Sequence, residues 1–196
     1  MSKIETNQVD PATGTTLTLG TSGDTISIPS GVTIANSGTA TGFGGTNTPA
    51  FEAYRSDNQG ISDGVWTKVQ FDVEEFDTNN MYDNSSNYRF TPTTSGKYLC
   101  YYVVRGGNDG GSTLNNVSVK FYKNGSNYQT STSTTTNFYN NPGANATQAS
   151  TQIINFNGSS DYLEVFAYID ANDDSVYGFQ GGSDRVSSFG AYKIIE

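Results

Sequence analysis

The chain has 196 residues, which is enough for one domain or for a domain with an appendage. Only 34% of the residues are hydrophobic, but 13% are aromatic, so the chain can bury a core and is unlike a disordered polymer. Its net charge of −9 at pH 7, with no basic patch along the sequence, argues against nucleic-acid binding.

The N-terminal residues bear on where the protein is made. Residues 1–5 lack the apolar stretch of a secretory signal, and no segment is long enough to cross a membrane. We therefore expect synthesis in a cytoplasm without secretory export, and no membrane insertion. The single cysteine, Cys100, lies in an apolar run; it excludes an intrachain disulfide and favours a buried free thiol.

Residues 1–45 contain short alternating pieces at 17–19, 26–28 and 32–34, each bounded by Gly, Pro, Asp or Asn. Two apolar residues per piece cannot build a core within one chain, but three intertwined copies can line a common axis. The pattern predicts a β-rich stalk whose first residues, 1–14, anchor it to other proteins. A flexible Gly- and Thr-rich linker is the alternative.

A glycine-rich stretch at 42–47 predicts a hinge, and the aromatic content rises after it. We therefore predict a globular head over residues 46–196. Short alternating runs at 66–73, 117–121, 152–156 and 189–195 predict strands, and no long helical pattern interrupts them. The expected fold is all-β, a two-sheet sandwich or jelly roll.

Two further strands, at 97–104 and 162–169, are predicted to be apolar on both faces. A strand of an antiparallel sandwich is ordinarily wet on one side, so something else must cover its second face. Tyr and Phe are enriched at interface centres, which favours a subunit contact over a cover of loops from the same chain. The predicted trimer interface consists of Leu99, Tyr101, Val103, Tyr162, Phe166 and Tyr168.

The head resembles the globular head of complement's first recognition subunit, within the tumour-necrosis-factor-like jelly rolls. The most specific motif is the extended Arg-Phe-Thr-Pro at 89–92, followed by Ser-Gly-Lys-Tyr at 95–98. Further matching motifs, in the same order along the chain, are 49–54, 123–125, 161–165 and 188–192. The resemblance implies a ten-stranded jelly roll, trimerisation around the inner sheet, and ligand binding through the exposed end or sides.

The N-terminal segment departs from the animal members of that group, which usually sit on collagen, because it has no Gly-X-Y repeat. Residues 15–20 and 25–29 instead resemble the low-complexity β-repeats of bacteriophage tail fibres. We therefore expect a virion appendage, made in the host cytoplasm, that contacts other virion proteins and a host-surface glycan or protein. A soluble bacterial carbohydrate-binding lectin and a capsid head-decoration protein are the alternatives.

The sequence contains no recognisable catalytic motif. The chain has no histidine, which removes Ser-His-Asp and Cys-His catalysis and the commonest zinc ligand. No carboxylate pair has a recognisable catalytic spacing, so we expect no enzyme; a depolymerase is the least favoured alternative. Oxygen ligands in one loop, Asp170, Asp173 and Asp174, suit calcium, although a solvated acidic turn also explains them.

Two polar loops with aromatic residues are candidates for ligand contact. They contain the predicted surface-binding residues Phe138, Tyr139, Tyr177 and Phe179. The same aromatic residues would equally fit a buried position at a subunit contact.

Overall fold

The computed structural model describes residues 9, 11–38, 49–108, 114–128, 133–136, 145–171 and 177–194. The chain divides into two units, Met1–Phe43 and Gly44–Glu196. The predicted hinge at 42–47 falls outside the described residues. Within the described ranges there is no helix of the length and apolarity that a membrane span requires.

The first unit is extended between tight turns. Asp24 closes one turn by accepting hydrogen bonds from the amide and hydroxyl of Thr21, and Val32 donates to the carbonyl of Pro29 in the next. No strand forms over residues 11–38 of the single chain, and the large apolar side chains there are 44% to 62% exposed. The β-rich stalk therefore stays a prediction, one that requires other copies to cover these side chains.

The second unit contains fourteen strands within its described residues. In chain order they are β1 (Ala50–Tyr54), β2 (Gln59–Ile61), β3 (Thr67–Lys68), β4 (Val73–Asp77), β5 (Tyr82–Asp83), β6 (Arg89–Phe90), β7 (Gly96–Asn108), β8 (Leu114–Lys123), β9 (Ser126–Asn127), β10 (Ser133–Thr136), β11 (Asn145–Phe156), β12 (Leu163–Ala171), β13 (Tyr177–Phe179) and β14 (Ser188–Lys193).

These strands form two antiparallel sheets. Sheet A has the order β2-β13-β7-β14-β1-β4, with β11 paired to the other edge of β7. Sheet B has the order β10-β8-β12-β6-β5, with β3 beside β12 and β9 beside β8. The all-β sandwich predicted from the sequence is confirmed. Several of its strands have only two or three residues, which is why there are more than ten.

The core lies between the sheets and is rich in aromatic rings. The Phe51 ring lies 4.9 Å from that of Tyr82, 4.6 Å from Phe90 and 5.0 Å from Phe189, measured between ring centroids. The buried tyrosine hydroxyls have acceptors; that of Tyr102, for example, donates to the carbonyl of Val119. This packing explains how a chain with few aliphatic residues still fills a sandwich.

Cys100 is fully buried in this core and forms no disulfide, as predicted. Burial disfavours the charged thiolate, which raises the pKa of the thiol. The thiol is consequently unreactive in the folded protein.

The run at 66–73 differs from the continuous strand that was predicted. Only Thr67 and Lys68 form a ladder with β12, the amide of Val69 donates one more bond to the carbonyl of Val165, and the backbone beyond Val69 bonds to side chains. The carboxamide of Gln59 accepts from the amide of Gln70, and Arg55 donates to the Gln70 carbonyl. Val69 and Phe71 are buried, as an alternating strand requires. The apolar pattern therefore predicted which side chains enter the core, but not how the backbone is paired.

Acid is expected to destabilise the head through Asp72 and Asp83. The Ser86 amide, together with donors from Ser85 and Asn87, holds the pKa of Asp83 far below its ordinary value. Burial alone would raise the pKa of Asp72, but hydrogen bonds from Ser56 and the charge of Arg55 lower it. Carboxyl groups with a lowered folded-state pKa stabilise the fold above the unfolded-state pKa of about 3.9, and this stabilisation is lost as the pH falls.

The measurement is urea unfolding at a series of pH values between 6 and 2. We expect the free energy of unfolding to fall as the pH drops below about 4. Asp83→Asn removes one of the responsible carboxyl groups, so the pH dependence of its unfolding should be shallower than that of the parent. An unchanged slope in Asp83→Asn would contradict the assignment to this residue.

Candidate interaction surfaces

The outer face of sheet A exposes large apolar side chains. Leu99 on β7 and Ile153 on β11 are direct cross-strand partners and are 38% and 57% exposed. Val103 follows Leu99 on the same side of β7 and is half-buried. We call the surface formed by Leu99, Tyr101, Val103, Ile153 and Tyr192 the sheet A face.

Tyr101 occupies the middle of the sheet A face. Its hydroxyl donates a 2.7 Å hydrogen bond to Oε2 of Glu52, and its ring lies parallel to that of Tyr192 at 6.2 Å. Burial, and then the hydrogen bond to Glu52, raise the pKa of the Tyr101 phenol, which stays neutral at physiological pH. The ring lies over Gly190 on β14, where the Cβ of any other residue would overlap it.

The sheet A face has the composition of a subunit contact: aliphatic and tyrosine side chains, with Glu52 held by a hydrogen bond. Its members Leu99, Tyr101 and Val103 were predicted from the alternation of β7. Ile153 and Tyr192 were missed. The signal for Ile153 is the adjacent pair Ile153-Ile154, since two successive apolar residues in a strand place one on each face of the sheet.

The outer face of sheet B is aromatic and cationic. Lys68, Phe166 and Lys120 form one row across β3, β12 and β8. Phe166 packs on Tyr122 with a centroid separation of 4.1 Å, and Lys68 forms an ion pair with the buried carboxylate of Glu164. We call the surface formed by Trp66, Lys120, Tyr122, Phe166 and Tyr168 the sheet B face.

Trp66 connects the two ends of this surface. Its ring lies 5.5 Å from that of Tyr168, and the Lys120 ammonium lies 3.6 Å from the Trp66 centroid and 5.3 Å from that of Tyr122. Just before β12, the Arg89 guanidinium lies 4.5 Å from the centroid of the Tyr162 ring. Cation–π contacts of this kind keep the cations in place beside the rings.

The structure separates the residues predicted to form one trimer interface. Leu99, Tyr101 and Val103 lie on the sheet A face, whereas Tyr162, Phe166 and Tyr168 lie on the outer side of sheet B. The rings of the second group contact Arg89, Tyr122 and Trp66 of their own chain and are half-buried. Whether either surface contacts another subunit stays a prediction.

The predicted calcium ligands are only partly described. Asp170 is half-buried near the end of β12, and Asp173 and Asp174 lie outside the described residues. Among the residues that are described, no three acidic, cysteine or histidine side chains are grouped as a metal site. Burial, followed by the charges of Asp170 and Asp63, raises the pKa of the Tyr168 phenol, so both carboxylates lie near it.

The four aromatic residues predicted to bind a ligand at the surface do not share one environment. Phe138 and Tyr139 lie outside the described residues, and only the backbone of Tyr177, in β13, is described. Phe179 is fully buried in the core, so its prediction as a surface residue is wrong. Phe179 lies in β13, which pairs with both β2 and β7, and its side chain is directed between the two sheets.

Comparison with solved structures shows which kind of sandwich this is. The chain is similar to the Eiger TNF of S. frugiperda, with a TM-score of 0.53 and 10% identity over 75% of this chain and 91% of that one. It is also similar to the globular domain of zebrafish complement 1qA protein, with a TM-score of 0.50 and 13% identity over 76% and 99% of the two chains. No protein-family model and no curated protein matches the sequence.

The head is therefore an all-β jelly roll of the kind found in tumour-necrosis-factor and complement heads. At 10% and 13% identity the likeness concerns the fold alone. The resemblance that the motifs at 89–98 and 188–192 suggested is confirmed at that level.

The contact between Tyr101 and Gly190 gives a prediction about head stability. Gly190→Ala places a methyl group against the Tyr101 ring and should lower the free energy of unfolding by about 1–3 kcal/mol, the usual cost of overpacking. Tyr101→Ala removes the obstacle, so Gly190→Ala made in that background should cost much less. Urea unfolding of the four proteins in this double-mutant cycle measures the coupling. Equal costs in both backgrounds would show that the ring does not restrict position 190.

Proposed function

We propose that the chain is a non-enzymatic virion appendage, a bacteriophage tail fibre or fibre-like protein, whose jelly-roll head forms a homotrimer and binds a host surface. In this proposal the protein is made in the host cytoplasm and incorporated into the virion. The observation that carries the trimer is the sheet A face, where Leu99 and Ile153 are exposed side by side in the single chain.

Burial of the sheet A face favours association. Removing apolar surface from water contributes about 25 cal/mol per Å², and a standard interface buries about 800 Å² on each partner. In a closed trimer each head presents two different patches to its two neighbours, so the sheet A face meets an adjoining surface of the next copy. Jelly-roll heads of the compared kind are often trimeric binding modules, which supports this arrangement.

The N-terminal segment fits the role of a stalk. Leu17, Leu19, Ile26 and Ile28 are all more than 40% exposed and lie in pieces separated by turns. Three parallel copies can cover such side chains mutually, as in fibrous repeats whose units are stable only when they are stacked. Residues 1–14 then attach the stalk to other virion proteins.

The binding role of the head is inferred from the character of its surfaces. The chain has no histidine, and its surface combines aromatic rings with polar side chains, which suits adhesion to a glycan or a protein. The proposal includes calcium as a structural ion held by Asp170, Asp173 and Asp174. The alternative of a capsid-decoration protein differs from a tail fibre only in the virion protein to which residues 1–14 attach.

Light scattering under native conditions tests the assembly. The full chain and a second protein spanning residues 46–196 should both have the mass of three copies if the head trimerises by itself. Three copies of the full chain alone would assign assembly to the stalk. Monomers of both proteins would overturn the trimeric fibre and favour a single-chain lectin.

The variant Ile153→Lys locates the contact. Because Ile153 is 57% exposed, a lysine there leaves the single-chain core intact, but it places a charge in the proposed interface. We expect its mass to shift from three copies towards one. Val65→Lys is the matched control, since Val65 is 49% exposed and lies outside the sheet A face. If Ile153→Lys stays trimeric, the contact lies elsewhere.

A further inference from the structure

The sheet B face places aromatic rings where a solvent-facing strand ordinarily has polar side chains. Phe166 and Tyr168 alternate with the buried residues of β12, and Tyr122 on β8, whose register partner is Glu164, packs diagonally on the Phe166 ring. Together with Trp66 they are half-buried rather than enclosed. A contiguous aromatic surface on a chain of net charge −9 is the usual mark of a binding site.

Cations and carboxylates share this surface: Lys68 and Lys120 lie beside the rings of Phe166 and Trp66, and Asp63 and Asp170 lie near the Tyr168 hydroxyl. The Lys68 ammonium is neutralised by Glu164, but no carboxylate of the described residues lies within ion-pair distance of the Lys120 ammonium. The rings of Trp66 and Tyr122 attract that ammonium without cancelling its charge. An anionic group approaching Lys120 therefore gains an ion pair that the described part of the chain does not supply.

We propose that the sheet B face binds an acidic polysaccharide, a glycan whose sugar units carry carboxylates. A carboxylate pairs with Lys120, and the C–H faces of neighbouring sugars pack on Trp66 and the adjoining rings. This inference rests on the binding role proposed above for the head and names its ligand class.

The geometry favours a polymer over a single sugar. A further cation of this side, Arg89 on β6, lies over the ring of Tyr162, which directly precedes β12 and is four residues before Phe166. Four residues of extended chain span about 13 Å, so Arg89 and Lys120 are separated by that distance along the direction of β12. A chain with repeated carboxylates can reach both, whereas a lone sugar reaches one.

An extended peptide is a poorer occupant. The backbone groups of β8 and β12 are used in their mutual ladder, so a peptide laid over them cannot add as a strand. Recognition on this surface must come from side chains alone, namely ring faces, ammonium groups and tyrosine hydroxyls. Those groups match the C–H faces, carboxylates and hydroxyls of an acidic glycan.

The test uses the full chain with two acidic probes, polygalacturonate and polysialic acid, and neutral dextran as the reference. Calorimetric titration should show binding of at least one acidic polymer that weakens with added salt, and none of dextran. Lys120→Gln should lower the affinity about tenfold, the effect of losing one charge-assisted contact. Lys120→Arg keeps the charge and should retain most of the binding.

A matched control separates local recognition from overall charge. Lys97→Gln removes the same charge from an exposed position on β7 of sheet A and should change the affinity less than twofold. Equal losses in Lys120→Gln and Lys97→Gln would overturn the assignment to the sheet B face. Circular dichroism melting of each variant checks that the fold is retained.

Two further results would overturn the proposal. Dextran bound as tightly as the acidic polymers would remove the role of Lys120, and no binding of either acidic polymer would exclude the ligand class. Light scattering on the same samples keeps the two proposals apart. A trimer that binds neither polymer leaves the virion-appendage proposal intact and refutes the glycan inference alone.

Discussion

Strand β7 is paired along both edges, and the rest of the head is arranged around that pairing. β11 follows one edge from Gly96 to Gly107, while β14 and then β13 share the other. A strand with two such neighbours cannot rotate, so its alternation is fixed. Tyr98, Cys100 and Tyr102 must enter the core, and Leu99, Tyr101 and Val103 must face away from it. The exposed apolar surface of sheet A is thus a consequence of the central strand's position.

That constraint also explains Gly190. β14 lies directly beside β7, and the register sets Gly190 opposite Tyr101. The absence of a side chain on β14 lets the Tyr101 ring lie over the backbone and bring its hydroxyl to Glu52 on β1. A carboxylate within an apolar surface would be costly if it were left without a donor. Tyr101 supplies that donor within the same chain. A partner that covers the surface therefore does not leave the Glu52 carboxylate without a hydrogen-bond donor.

The sequence predicted the strands whose apolar residues alternate strongly. The other strands were not predicted, for identifiable reasons. β7 and β12 were readable because both of their faces are apolar. β11 was expected only over 152–156, yet it begins at Asn145, because its earlier inward positions are filled by Ala146 and Gln148, which carry no hydrophobic signal. Its pairing to β7 comes from tertiary context rather than from local propensity.

The candidate surfaces were partly predictable for a related reason. Alternation shows that a strand has two apolar faces, but not which face turns towards the other sheet, nor whether two strands share a sheet. Leu99 and Phe166 therefore looked equivalent although they lie on opposite sides of the sandwich. Phe179 was misplaced because a three-residue strand with a glycine at its centre is too short to show an alternating pattern.

The two surfaces differ in composition: the five residues that define the sheet A face are uncharged, whereas those of the sheet B face include Lys120. In a symmetric trimer every side chain near the axis occurs three times, so cations such as Lys68 and Lys120 at the contact would repel their copies. The sheet A face brings Leu99, Val103 and Ile153 together, and Glu52 beside it already accepts a hydrogen bond, while Lys97 lies beyond Leu99 at one end of β7. Self-association is therefore better suited to sheet A, and the cations of sheet B are better suited to an anionic partner of a different kind.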